Sequence, residues 1–231
     1  LYTVRRLLVI SDMHGQIDAF NKLLDKVRYE PEKDLLFLLG DYVDRGQNPK
    51  AVIQKARELE KKGAITLKGN HEDMMEKALT RFNSESLSVW AANGGTQTLS
   101  SYGVSIKKVF EDVKSQGFFD LPDDLKNDLE WVQNLNFYAE TEHYLFVHAG
   151  VDPDKKLDDT DEQTFLWIRG PFLEGYHGDK TVIFGHTPTM TIQPTSDVYF
   201  GENNIIGIDG GCVFGGQLNC LELPSMETYQ V

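Results

Sequence analysis

The chain has 231 residues, 23 Lys and Arg against 36 Asp and Glu, a formal net charge of −13, 6 His and 2 Cys. At 40% hydrophobic and 11% aromatic residues it is too apolar for a disordered chain, and it is long enough to bury a sizeable core as one domain. No apolar run approaches the about 18 residues of a membrane span. Two Cys cannot staple a secreted scaffold, and the acid excess disfavours a nucleic-acid backbone as partner. These features point to a cytoplasmic protein with no membrane and no nucleic-acid partner. They leave room for a phosphorylated substrate, because bound cations can reverse the field locally.

Arg6 to Ile10 reads as a buried strand that ends at Ser11-Asp12, and its apolar run is too short for a signal-peptide core. Ile17, Phe20, Leu24 and Val27 recur at steps of three and four, which predicts a helix with one apolar face. Leu35 to Leu39 is wholly apolar and predicts a central strand. Asn48-Pro49 reads as an N-cap followed by proline in the first turn, with Val52, Ala56 and Leu59 continuing the helix to a stop at Gly63. Ala64 to Leu67 is a third strand, and the βαβαβ order predicts a parallel sheet. Met74, Met75, Ala78 and Leu79 are core contacts of a following helix. Residues 83–138 are helical in tone and more polar, with a turn signal at Asn93-Gly94-Gly95. Strands resume at Tyr144–Val147, Thr181–Phe184, Ile205–Ile208 and Gln217–Leu223, and the last two read as a hairpin-like pair. The expected architecture is α/β, with two sheets between outer helices and a helical insert at 83–138 within a single domain spanning 1–231.

The chemistry lies at the carboxyl ends of the apolar strands, where open α/β sheets put their ligand sites. Asp12-Met13-His14-Gly15 follows the first strand and Gly40-Asp41-Tyr42-Val43-Asp44-Arg45-Gly46 the second. Lys68-Gly69-Asn70-His71-Glu72 follows the third. His148-Ala149-Gly150 and Gly185-His186-Thr187-Pro188 follow two later strands. Asp, His and Asn without thiolate suit borderline or hard divalent cations. The two side chains of Asp-x-His point the same way along extended backbone, and one carboxylate has two oxygens with which to bridge two ions. Arg45 offers a planar fork that matches phosphate oxygens. Four of the 6 His, namely His14, His71, His148 and His186, fall in these clusters.

This ordered set resembles the calcineurin-like metallophosphoesterases, and within them the phosphoprotein phosphatase branch, from Asp12 to the Gly210–Gly216 segment. It is closest in character to small bacterial and phage serine/threonine phosphatases and to bacterial diadenosine tetraphosphate hydrolases. The segment Ile208-Asp209-Gly210-Gly211-Cys212-Val213-Phe214-Gly215-Gly216 is similar to the bacterial Asp-Thr-Gly-x-x-x-Gly-Gly pattern, with Gly at 210 where Thr is usual. The resemblance implies a four-layer α/β/β/α sandwich. It implies two divalent metals, Mn first, with Fe, Zn, Co or Ni as alternatives. Asp12, His14 and Asp41 would hold the first metal, and Asp41, Asn70, His148 and His186 the second. Arg45 and Arg169 would bind phosphate, and His71, oriented by Asp44, would protonate the leaving group. The implied reaction is direct attack by a hydroxide bridging the metals.

Arg169 stands beside Trp167, so a plain stacking role competes with phosphate binding. His143 and His177 lie outside every motif and read as surface residues, and the acidic 152–162 stretch reads as a solvated loop. Residues 83–138 are either a cap over the metals or a packing module anchored by Trp90 and Trp131. A phosphoserine or phosphothreonine protein is the first-choice substrate and a bis(5'-nucleosyl)-tetraphosphate such as diadenosine tetraphosphate the alternative. An adenine slot would need an aromatic face in the 83–138 segment or near Trp167 and Tyr176. An inactive metal-binding scaffold or a nuclease fits the intact motif set less well.

Overall fold

The computed structural model describes residues 5–231. Strand β1 (Arg6–Ile10), helix α1 (Ile17–Lys26), β2 (Asp34–Leu38), α2 (Pro49–Lys61) and β3 (Ile65–Thr66) form the expected βαβαβ unit. β1 runs parallel to β2 with Leu8 opposite Leu36, and β2 runs parallel to β3 with Leu38 opposite Thr66. The Asn48 side chain caps α2 by accepting from the Ala51 N–H at 3.1 Å, and Pro49 occupies the first turn. Helix α3 (Asn70–Arg81) begins on the third motif, and Met74, Met75, Ala78 and Leu79 are buried as core.

Four helices fill the 83–138 stretch: α4 (Ser84–Trp90), α5 (Thr96–Ser101), α6 (Ile106–Gln116) and α7 (Asp123–Gln133). Their apolar residues, including Leu87, Trp90, Leu99, Val109 and Leu125, join the same cluster as α1, α2 and α3. At the turn signal Asn93-Gly94-Gly95 the helical path breaks in a kink between α4 and α5. Within Ala91–Gly95, Gly94 leaves helical geometry at φ 100°. The chain then enters β4 (Tyr138–Glu140), β5 (Tyr144–Val147), α8 (Glu162–Trp167), α9 (Gly170–Gly175), β6 (Thr181–Phe184), β7 (Tyr199–Phe200), β8 (Ile205–Gly207), β9 (Asn219–Leu223) and β10 (Thr228–Gln230).

The strands make two five-stranded mixed sheets, ordered β10-β9-β1-β2-β3 and β4-β5-β6-β8-β7. The hairpin expected between Ile205–Ile208 and Gln217–Leu223 does not form. β8 lies parallel to β6 in the second sheet, with Val182 opposite Ile205, whereas β9 lies antiparallel to β1 in the first, with Leu8 opposite Glu222. Both strands are apolar, and the Gly-rich stretch between them is long enough to change sheets, so their local pattern does not specify a partner.

The strand period of two decides the layering. Along β1, Leu8 and Ile10 face the cluster shared with the first helical layer, while Val9 faces the other sheet. Val9, Phe37, Leu39, Phe146, Ile183 and Ile206 meet between the sheets, where the Phe37 and Phe146 rings stack at 3.8 Å. On the far side Leu145, Val147, Val182 and Phe184 pack under Phe165 of α8 and Phe172 of α9. The result is the four-layer α/β/β/α sandwich, with strand ends from both sheets opening on one site.

Candidate active site

Each motif begins where a strand stops, and the loops hold one another by backbone. Asp12 N–H donates to the Gly40 carbonyl at 3.1 Å, His14 N–H to the Asp41 carbonyl at 2.9 Å and Gly15 N–H to the Tyr42 carbonyl at 2.9 Å. The loops after β2 and β3 pass so closely that a Cβ on Gly40, at φ 96°, would lie 2.7 Å from the Gly69 Cα. Glu72, fully buried, spans the same loops. Its carboxylate accepts N–H groups from Asp41 at 2.8 Å, Tyr42 at 2.8 Å and Gly69 at 2.9 Å. Burial, and then the nearby Asp41 charge, push the Glu72 carboxyl up to about 7.

These turns bend the backbone hard. Asp12, His14, Asp41, Asp44, Arg45 and His186 all have positive φ, between 38° for His14 and 72° for Asp44. Non-glycine residues rarely enter this region, and they do so chiefly where surrounding structure over-determines them.

Asp41 is central. Its Oδ2 lies 3.4 Å from His14 Nε2 and its Oδ1 3.5 Å from His148 Nε2. One atom each from His14, Asp41 and His71 lies within 4.8 Å of the others, as does one each from Asp41, His148 and His186. Asp12 Oδ2 is 4.0 Å from His14 Nε2. Its Oδ1 accepts the His186 N–H at 3.1 Å and the Ser11 hydroxyl. All six predicted metal-holding residues, Asp12, His14, Asp41, Asn70, His148 and His186, are therefore brought together and buried.

The donor chemistry fits divalent cations. His14 Nδ1 contacts the Val43 carbonyl at 2.7 Å and His148 Nδ1 the Leu39 carbonyl at 2.8 Å. A carbonyl only accepts, so both Nδ1 atoms carry a proton, and Nε2 is in each ring the nitrogen turned toward Asp41. The Asn70 side-chain oxygen lies 2.9 Å from His148 Nε2 and 3.0 Å from His186 Nδ1. His186 Nε2 is buried without any partner. The Asp12 and Asp41 carboxylates, the Asn70 oxygen and the buried, unpartnered His186 Nε2 together form a donor set that a cation would satisfy. Burial, and then His148, lower His186 to about 2, so it is a neutral imidazole. Burial also works against a charged His14, yet the Asp41 carboxylate raises it to about 9. Ions carrying positive charge to this spot would displace that proton.

Around the donor cluster lies a cavity of about 230 Å³. His71, Arg45, Arg169, Asp209, Asn93, Trp167 and Phe214 contribute to its walls. His71 Nδ1 meets Asp44 Oδ2 at 2.6 Å. Arg45 Nη1 is 3.5 Å from His14 Nε2, and its guanidinium lies 5.1 Å from the Phe214 ring centroid. Arg169 Nη1 donates to the Thr187 hydroxyl at 3.2 Å, next to His186, so it is fastened at the site. The Trp167 ring instead stands nearly perpendicular to that of His186, with the centroids 5.9 Å apart. His143 and His177 are exposed, as expected. Tyr176, considered for an adenine slot, lines a separate depression of about 390 Å³ that contains no motif residue.

Sequence reasoning missed several members of this site. Glu72 ends the third motif, so its position was the available signal. Asp209, buried beside Asp12, has its carboxyl pushed well up by burial and by that neighbour. Gly210 replaces the usual Thr where a Cβ would meet the Gln217 carbonyl and come within 2.8 Å of Asn219 Nδ2. Trp90 and Thr98 carried no sequence signal for contact with Asp44, yet both donate to it.

A sequence profile of the calcineurin-like phosphoesterase family matches residues 5–208. Over 96% of its length the chain is 27% identical to bis(5'-nucleosyl)-tetraphosphatase PrpE (asymmetrical) of Anoxybacillus flavithermus, covering 92% of that protein. Over 93% of its length it is 28% identical to serine/threonine-protein phosphatase 1 of Salmonella typhimurium, covering 90% of that protein. A crystal structure provisionally assigned as a diadenosine tetraphosphatase superposes on 100% of the chain and 94% of its own, with a TM-score of 0.72 at 20% identity.

Proposed function

The chain belongs to the calcineurin-like phosphoesterase family, and from that premise we propose that it is a two-metal serine/threonine protein phosphatase. The observation that carries the substrate choice is the buried His71–Asp44 pair at 2.6 Å. A serine or threonine alkoxide leaves poorly unless it is protonated, whereas a nucleotide phosphate leaves as a stable anion. An imidazole held by a carboxylate is the group that an alkyl ester needs.

When bound, two divalent cations supply a nucleophile from water at neutral pH and positive charge for the phosphoryl oxygens. Asp12, His14 and Asp41 would hold one, and Asp41, Asn70, His148 and His186 the other, with Mn as the first candidate. Arg45 and Arg169 orient the phosphate by paired N–H donors and neutralise its charge. Asp44 accepts from His71 Nδ1, so the other ring nitrogen is the one that hands a proton to the leaving oxygen. No Ser or Cys nucleophile is required in this scheme, and no covalent phospho-enzyme forms. No helix among the described residues is long and apolar enough to cross a membrane. Free Cys212 and Cys220 support placement in the cytoplasm.

A second reading, hydrolysis of a dinucleoside tetraphosphate, is favoured by one observation. Trp167 is 36% exposed and Phe214 57% exposed at the cavity, and either ring offers a face to a base. A substrate panel with Mn²⁺ decides between them. The phosphatase reading expects a higher kcat/KM for phosphoserine and phosphothreonine peptides than for diadenosine tetraphosphate, and the reverse order overturns it.

A further inference from the structure

The orientation of His71 depends on Asp44, and that of Asp44 on two side chains from the 83–138 helices. Asp44 Oδ1 accepts from the Thr98 hydroxyl at 2.6 Å, and Trp90 Nε1 lies 3.0 Å from Oδ1 and 3.1 Å from Oδ2. The Thr98 oxygen in turn accepts the Asp44 N–H at 2.9 Å, which leaves its own proton directed at the carboxylate. Trp90, Thr98 and Asp44 are all 0% exposed.

Both donors come from the two sides of the Ala91–Gly95 kink. Gly95 lies flat on the Trp90 indole, where a Cβ would come within 2.5 Å of the ring. The Gly94 carbonyl accepts the Arg45 N–H at 3.2 Å, so the kink also touches the phosphate-facing residue next to Asp44. A buried indole needs only some acceptor for its N–H. Here it finds the one carboxylate that holds His71.

We propose that Trp90 and Thr98 are positioning residues of the proton-donating pair. They fix the rotation of the Asp44 carboxylate so that Oδ2 stays on His71 Nδ1 and the imidazole keeps one tautomer and one direction. The helical segment thereby serves the reaction from beneath. This rests on the reading of His71 as general acid.

The test uses Trp90→Phe, which keeps the buried ring and removes the donor, and Thr98→Val, which keeps the shape and removes the hydroxyl. Rates are measured with Mn²⁺ on a phosphoserine peptide and on p-nitrophenyl phosphate, whose leaving group departs without a proton. Each variant should lose about tenfold in kcat/KM on the peptide, the rate equivalent of one charge-assisted hydrogen bond, and far less on the aryl ester. Thr98→Ser should recover the peptide rate. In a His71→Asn background neither substitution should lower the peptide rate further. Equal losses on both substrates, or an undiminished loss in the His71→Asn background, would mean that the two residues only pack the core. If His71→Asn itself lowers both substrates equally, the general-acid reading falls and this proposal with it.

Discussion

The floor and the rim of the site are built on opposite plans. On the floor Asp12, Asp41, Asp44, His71 and His148 are each at most 4% exposed, and each is hydrogen-bonded to another part of the fold, Asp12, Asp41, His71 and His148 to other strand ends and Asp44 to His71, Trp90 and Thr98. On the rim Trp167 and Phe214 are 36% and 57% exposed, and they meet the site through single ring contacts to His186 and Arg45. A floor so over-determined suits chemistry that tolerates little displacement of the reacting atoms. A loosely held apolar rim suits the choice of leaving group, because it can change without disturbing the donors beneath.

That division predicts a graded series of effects. Asp41→Asn should cost at least about a thousandfold in kcat/KM, or about 4 kcal/mol, together with both bound metals, since one carboxylate serves both donor groups. Metal content by mass spectrometry checks it, and a fully active variant ends the two-metal reading. Dialysis against EDTA should give a comparable loss with an unchanged circular dichroism spectrum, because the core on either side of the sheets does not depend on the ions. His71→Asn should cost about a hundredfold on phosphoserine peptides and much less on p-nitrophenyl phosphate. Arg169→Ala should raise KM about tenfold, the value of one exchanged ion-pair contact, with a smaller change in kcat. Smallest of all, Trp167→Ala and Phe214→Ala should change kcat/KM by about threefold, within the range of a single exposed aromatic contact, and should act on one substrate class more than the other. A rim substitution that cost as much as Asp41→Asn would erase the distinction between the two regions.

The placement of much of the floor was legible because each Asp, His or Asn cluster directly follows an apolar run, and an apolar run marks a strand wherever it pairs. Arg6–Ile10, Leu35–Leu39 and Thr181–Phe184 are of this kind, and their ends deliver Asp12, Asp41 and His186. Pairing between distant strands was not legible. Ile205–Ile208 and Gln217–Leu223 have the same local pattern as a hairpin, and only β1 and β6 on opposite sheets separate them. The short edge strands β4, β7 and β10 were also missed, since two or three residues carry no period. Trp90 looked like an anchor for packing, and it is one. Its bond to Asp44 spans 46 residues and arises from a kink at Gly94 that reads in sequence as an ordinary turn.

The six left-handed residues at the site set a conflict between activity and robustness. An L-residue in that conformation costs about 1–2 kcal/mol that glycine does not incur. Glycine at 12, 14, 41, 44, 45 or 186 would relax the backbone and delete a side chain that the proposed reaction uses. Selection of this protein for heat resistance alone, with no assay for turnover, would therefore be drawn toward these very positions and would return sturdier, inert molecules. A screen that couples heating to phosphate release is the one that keeps them.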